Sequence, residues 1–257
     1  METSLAPWLM AMRRSQEQLQ ALVEPLSVTQ LVQPSYASEW SIAQVLSHLG
    51  AQAEIFPLYL NAGLTGDRAP GREAFEPIWA TWNARSPEAQ AADSLRGEKE
   101  LMDRFEALTP DQREHLHLDL YGMELDATGL ARMRLSEHAI HTWDVAVALD
   151  PAATVAPDAV ELLVDTLGQL AARTGKPDGT GRTVGITATA PERHFALEIG
   201  EKVALSPTDQ NDHRLQLRLP AEALLRLVYG RLDPAHTPPY EAEGIDIDQL
   251  RPIFPGF

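Results

Sequence analysis

Cysteine is missing from this chain altogether. Its absence excludes disulfides, thiolate metal ligands, iron–sulfur clusters and a cysteine nucleophile. Any thiol chemistry must use a thiol brought in from outside. Positive charge is scarce as well: Lys and Arg total 21 against 37 Asp and Glu, a net charge of −16. Phosphate backbones and anionic membrane surfaces call for clustered cations, so this balance argues against either as a partner. No apolar run approaches the roughly 18 residues of a membrane span. Met1 to Met12 does not read as a secretory leader, because Glu2 is acidic and Arg13-Arg14 follows the apolar stretch instead of preceding it. The expected location is the cytoplasm. Internal repeats and low-complexity tracts are also lacking.

What is present suits a folded, globular protein: 44% hydrophobic and 23% charged residues. A length of 257 residues allows one large domain or two ordinary ones. The texture changes near residue 150, where Pro151 stops any preceding helix. The expected fold class is α+β, with a helical bundle over residues 1–150 and a small α+β domain over 151–257. The first part carries a net charge of −11 and the second −5.

In the first part, helices are expected from Pro7 to Leu22, from an N-cap at Ser41 toward Leu60, and around Ala74 to Trp82. Ser86-Pro87-Glu88 starts another, running to about Leu108. Thr109-Pro110-Asp111-Gln112 resembles a capping box opening a short helix. A last long helix spans roughly Thr128 to Leu149. In the second part a helix from Asp158 to Arg173 is closed by Gly175. Alternating runs over Arg182–Ala190, His194–Ile199, Lys202–Leu205 and Arg214–Leu219 read as strands. Pro220-Ala221-Glu222 opens a helix to Arg231, and a short helix is expected over Asp246–Ile253.

Chemistry concentrates in Arg134-Leu135-Ser136-Glu137-His138-Ala139-Ile140-His141-Thr142-Trp143-Asp144. Glu137 and His141 stand at i and i+4 on the expected helix, so a carboxylate and an imidazole share one face. Both are good ligands for zinc or a similar divalent ion. Asp144, three residues on, is placed to orient a ligand imidazole. Such a pair on a solvated helix usually does nothing. Here Leu135, Ile140, Val145 and Val147 make the helix largely apolar, and a polar pair on a buried helix needs partners. His48, inside Val45-Leu46-Ser47-His48-Leu49, completes a set of three protein ligands with an open fourth position. The other histidines carry less weight. His138 points about 100° away from Glu137 around the helix; His115 and His117 read as solvated loop, and His194, His213 and His236 as strand, strand-entry and loop residues. Trp40 and Trp143 are either core or pocket lining. Glu54 is a spare acid near His48 on which nothing is staked.

Trp40-Ser41-Ile42-Ala43-Gln44-Val45-Leu46-Ser47-His48-Leu49 resembles the N-terminal motif of the DinB-like superfamily of metal-binding four-helix bundles. Together with Glu137-x-x-x-His141-x-x-Asp144 it resembles, more specifically, the mycothiol-dependent maleylpyruvate isomerase family of actinobacteria. Leu224-Leu225-Arg226-Leu227-Val228-Tyr229-Gly230-Arg231 is similar to the Gly-Arg segment of that family's smaller, sterol-carrier-like C-terminal domain. The resemblance implies metal ligation by His48, Glu137 and His141, and mycothiol as a thiol cofactor acting at the metal. It implies a role for Arg231 in binding an acidic group of substrate or cofactor; by residue type alone, Arg231 reads as a surface cation at a helix end. The excess of arginine over lysine is of the kind seen with GC-rich genomes.

The implied chemistry is coherent. An alkyl thiol is mostly protonated at pH 7, and coordination to a divalent ion deprotonates it. Its sulfur then adds to a double bond conjugated to a carbonyl, allowing cis–trans isomerisation, or displaces a leaving group in thiol transfer. The expected function is therefore a metal- and thiol-dependent isomerase or transferase acting on an electrophilic small molecule, with zinc as the first choice of metal. A thiol-independent hydrolase or lyase at the same ligands is one alternative. A non-catalytic small-molecule-binding protein, built on the second domain, is the other.

Overall fold

The computed structural model describes residues 4–37, 39–210 and 212–256. The chain divides into two compact units, residues 1–154 and 155–257.

The first unit is helical. Its elements are α1 (Leu5–Val23), α2 (Val28–Leu31), α3 (Ile42–Thr65), α4 (Arg72–Asn83), α5 (Pro87–Glu106), α6 (Pro110–His115), the strands β1 (Leu118–Leu120) and β2 (Met123–Leu125), and α7 (Ala127–Leu149). The long helices α1, α3, α5 and α7 form the bundle: α3 packs on α5 and α7, and α1 packs on the same two. Local chemistry sets where these helices begin. Ser41 accepts from the Gln44 amide while the Gln44 side chain accepts from the Ser41 amide, and Thr109 and Gln112 repeat the arrangement. Ser86 caps α5 ahead of Pro87, and the Asp126 carboxylate caps α7 through the Gly129 amide at 2.6 Å. Leu19, Ile42, Val45, Leu46, Leu49 and Val145 meet in one apolar cluster.

Helix α3 carries a glycine where helices disfavour one. At Gly50 an added Cβ would lie 2.2 Å from two carbons of the Trp82 ring, so the close approach of α4 to α3 requires a residue without a side chain. The Trp82 indole donates to Glu54 Oε1 at 2.8 Å, and the Arg85 guanidinium lies 3.6 Å from the ring centroid. Glu54 is thereby tied into the α3–α4 contact.

The second unit holds α8 (Pro157–Leu163), α9 (Leu167–Thr174), β3 (Arg182–Thr189), β4 (Arg193–Ile199), β5 (Val203–Pro207), β6 (Leu215–Pro220), α10 (Ala221–Val228) and β7 (Glu241–Glu243). The five strands form one sheet in the order β5-β4-β3-β6-β7, with β3 and β6 parallel and the other pairs antiparallel. Val184, Ile186 and Ala188 of β3, Phe195, Leu197 and Ile199 of β4, and Leu217 and Leu219 of β6 are buried at alternating positions. Helix α9 packs on β5, while α10 packs on β3 and β6. The architecture is a helical bundle followed by an α/β unit, as the α+β reading of the sequence expects.

Several elements differ from the sequence reading, and α2 and β7 are additions to it. The helix expected over Asp158–Arg173 is split, with a 3₁₀ turn at Val164–Thr166 joining α8 to α9. Helix α10 stops at Val228 instead of Arg231, because Gly230 takes a left-handed φ of 67°. A Cβ there would meet the Gly256 backbone at 2.2 Å. The Asp246–Ile253 segment forms two 3₁₀ turns, Ile247–Gln249 and Arg251–Ile253. Where a loop was read after α6, β1 and β2 pair across Tyr121 and Gly122, both at positive φ, which is the signature of a tight two-residue hairpin.

Candidate metal centre

Helix α7 is buried around most of its circumference. Its polar residues must therefore find partners inside the bundle. It does so in two layers, a buried network and a cluster open to solvent.

The buried network begins at Arg134, which is fully buried. Arg134 Nη2 forms an ion pair with Glu98 of α5 and donates to the Leu49 carbonyl of α3 at 3.3 Å. His138 is also buried, with Nδ1 2.7 Å from Ser15 Oγ of α1 and Nε2 3.8 Å from Glu98 Oε2. Serine, histidine and glutamate in a row resemble a nucleophilic triad. Yet Ser15, His138 and Glu98 are each no more than 3% exposed, so no substrate reaches the serine, and the group serves the fold. Burial drives the His138 imidazole toward neutral and pushes the Glu98 carboxyl up to about 7, with Arg134 opposing the latter.

The open cluster joins α3 to α7. His48 Nε2 lies 3.3 Å from Glu137 Oε2, and His141 Nε2 lies 3.9 Å from the same oxygen. One donor atom of each residue falls within 4.8 Å of the others. Among the described residues, this is the one such group of three or more. The Glu137 side chain keeps 35% of its exposure and His48 keeps 22%, so the cluster faces solvent on that side.

On its inner side the cluster is held rigidly. His141 Nδ1 lies 2.9 Å from Oδ2 of the fully buried Asp144. A carboxylate only accepts, so Nδ1 donates to Asp144 and Nε2 is the ring nitrogen left facing Glu137. The Asp144 backbone carbonyl accepts from the Tyr36 amide at 3.1 Å. Trp40 covers both imidazoles, its ring centroid 5.2 Å from that of His48 and 6.2 Å from that of His141. Trp143 is core, its indole donating to the Ala153 carbonyl at 2.9 Å.

Electrostatics suit the donors to a cation. Burial lowers the His48 pKa, although the bond to Glu137 opposes this, and favours the neutral imidazole. Burial pushes Glu137 upward, but its hydrogen bond with His48 and the charge of His141, His48 and Arg134 in their protonated forms outweigh that and bring it to about 2. An ionised Glu137 and a neutral His48 are the protonation states in which these two residues can ligate a metal. Tetrahedral bonds of about 2.1 Å place donor atoms about 3.4 Å apart. The separations of 3.3 and 3.9 Å bracket that spacing and the third pair lies within 4.8 Å, so the residues present fit a divalent ion.

Residues 12–146 match the family model described as the mycothiol maleylpyruvate isomerase N-terminal domain. The chain belongs to that family. No curated protein sequence matches it. A crystal structure of the mycothiol-dependent maleylpyruvate isomerase is similar over 94% of this chain and 93% of that one, with a TM-score of 0.69 at 15% identity. A mutant of that isomerase matches with the same coverage and TM-score at 14% identity. At such identities the likeness speaks for the fold, and it extends through both units.

Of the remaining residues singled out in the sequence, three histidines and Arg231 belong to the second unit. His115 ends α6 and is exposed; His117 is exposed too, 2.7 Å from Glu124 across the hairpin. His194 lies on β4, His213 precedes β6, and His236 sits in a 3₁₀ turn against Asp233. Arg231 belongs to the second unit, where its Nη1 donates to the Tyr229 carbonyl at 3.1 Å. The Arg134–Glu98–His138–Ser15 network was missed in sequence. Arg134 amid the buried Leu130, Ala131 and Leu135 was the available signal.

Proposed function

We propose that this member of the mycothiol maleylpyruvate isomerase family is a metal-dependent enzyme that uses a small thiol, of the mycothiol kind, on an electrophilic small molecule. His48, Glu137 and His141 are assigned as ligands of a divalent ion, with zinc as the first choice. The observation that carries this reading is the approach of their three donor atoms to within 4.8 Å on a face open to solvent. When bound, the ion supplies the Lewis acidity that deprotonates a coordinated thiol at neutral pH. The chain's own residues prepare the site. Asp144 holds His141 in one tautomer, burial keeps His48 neutral, and Glu137 brings the single negative charge. Three protein ligands leave room for the thiol, as in catalytic rather than structural zinc sites. The reaction class is isomerisation through reversible addition of sulfur to an activated carbon, or thiol transfer. Arg231 is assigned the binding of an acidic group of substrate or cofactor, because a guanidinium grips a carboxylate bidentately.

Elemental analysis of purified wild type and His48→Ala tests the assignment. We expect close to one equivalent of metal in the wild type and a large loss in the variant. A wild type that takes up no metal after reconstitution overturns the reading. A metal-loaded protein whose turnover of electrophiles ignores added thiol supports the thiol-independent hydrolase or lyase instead.

A further inference from the structure

The buried network behind the cluster has no part in the chemistry just proposed, yet it touches the backbone beside one ligand and the helical turn before another. Arg134 lies one turn ahead of Glu137 on α7. Its Nη2 donates to the carbonyl of Leu49, the residue after His48 on α3, and pairs with Glu98 on α5. The guanidinium carbon lies 5.5 Å from the centroid of the Phe56 ring, one α3 turn and more beyond Leu49. Nε and Nη1 have no hydrogen-bond partner and are buried. A cation held this deep with donors unpaired costs stability. A core built for stability alone would place an apolar residue there.

We propose that Arg134 is a positioning residue for the ligand cluster, setting the register of α3 against α7 so that His48 meets Glu137. The inference rests on the ligand assignment above. His48 and Glu137 come from helices whose apolar contacts tolerate small slides, whereas a buried guanidinium whose Nη2 is shared between a carbonyl on one helix and a carboxylate on another does not. Residues that orient ligands in this way typically account for about 10–100-fold in metal affinity.

Coulomb's law and positioning predict opposite signs, which makes the idea testable. As a mere positive charge near the site, Arg134 would repel a divalent cation; removing it would tighten binding. As a positioning residue, its removal loosens binding even though a repulsive charge has gone. The experiment is Co(II) titration of metal-free wild type, Arg134→Lys and Arg134→Met at about pH 7.5, reading affinity and the visible absorption of bound Co(II). Lys keeps the charge but not the planar guanidinium that places Nη2 against both acceptors. We expect about 10-fold weaker binding in Arg134→Lys with a shifted Co(II) spectrum, and a larger loss in Arg134→Met. Wild-type affinity and spectrum in Arg134→Lys, or tighter binding in Arg134→Met, overturn the inference. If Arg134→Met does not fold, Arg134→Lys decides alone, since it keeps a positive charge opposite Glu98. A wild type that binds no Co(II) overturns the ligand assignment itself, and this inference with it.

Discussion

At Asp144 a single hydrogen bond decides which ring nitrogen of His141 faces the cluster. Replacing Asp144 by Ala frees the ring to take the other tautomer and to rotate. Zinc affinity, measured by competition with a chromophoric chelator, should fall by about 10–100-fold; an unchanged affinity would show that the neighbouring packing alone orients His141. Glu98 supports a different measurement. Its folded pKa of about 7 lies above the ordinary carboxylate value, chiefly through burial. A raised folded pKa means stability that is complete below the unfolded value and is lost as pH rises through the folded one. Glu98 should therefore contribute a loss of melting temperature between about pH 4.5 and pH 7.5, opposed by the gain from the depressed His48 and His138, so the melting temperature of metal-free Glu98→Gln should rise more steeply with pH than that of the wild type. An equal slope in the variant would assign it to other groups. The half of the site carried by Glu137, His141 and Asp144 was legible as residue spacing, because all three lie on one helix. Their meeting with His48 was read from residue type and family resemblance and not from spacing, since it depends on how α3 packs on α7, 89 residues away in sequence.

Among the elements, those with chemical punctuation were the legible ones. Ser41, Ser86-Pro87 and Thr109 marked helix starts within a residue or so, because a cap is a local bargain between one side chain and one amide. The long strands β3 and β4 were legible through alternation, since one face of each is buried. Elements fixed by distant contacts were illegible. Strand β7 has three exposed residues and exists only through pairing with β6. The hairpin at Tyr121-Gly122 lacks the Asn or Asp that usually announces such a turn. The end of α10 depends on Gly230 lying against the Gly256 backbone. Gly50 offers a test at this scale. Gly50→Ala raises intrinsic helix propensity and yet should destabilise the protein by about 1–3 kcal/mol in urea unfolding, because the new methyl displaces Trp82 and its bond to Glu54. A stabilised variant would mean that the indole moves aside freely.

For the molecule as a whole, the division at Thr154 and Val155 implies two cores that melt on their own terms. Scanning calorimetry of the full chain should show two transitions. Added zinc should raise only the one belonging to residues 1–154, where His48, Glu137 and His141 reside, by linkage between binding and folding. An equal rise of both would mean that the two cores unfold together. No helix among the described residues is long and apolar enough to cross a membrane. The separation of His48 from Glu137 has a further, kinetic consequence. A chain without cysteine has no covalent means of tying distant segments together, and an ion held by this pair would close a loop of 89 residues as a reversible staple. Its removal should shorten the time the bundle stays shut, so a chelator should hasten protease cleavage of the first unit even at temperatures where the stripped protein is still fully folded.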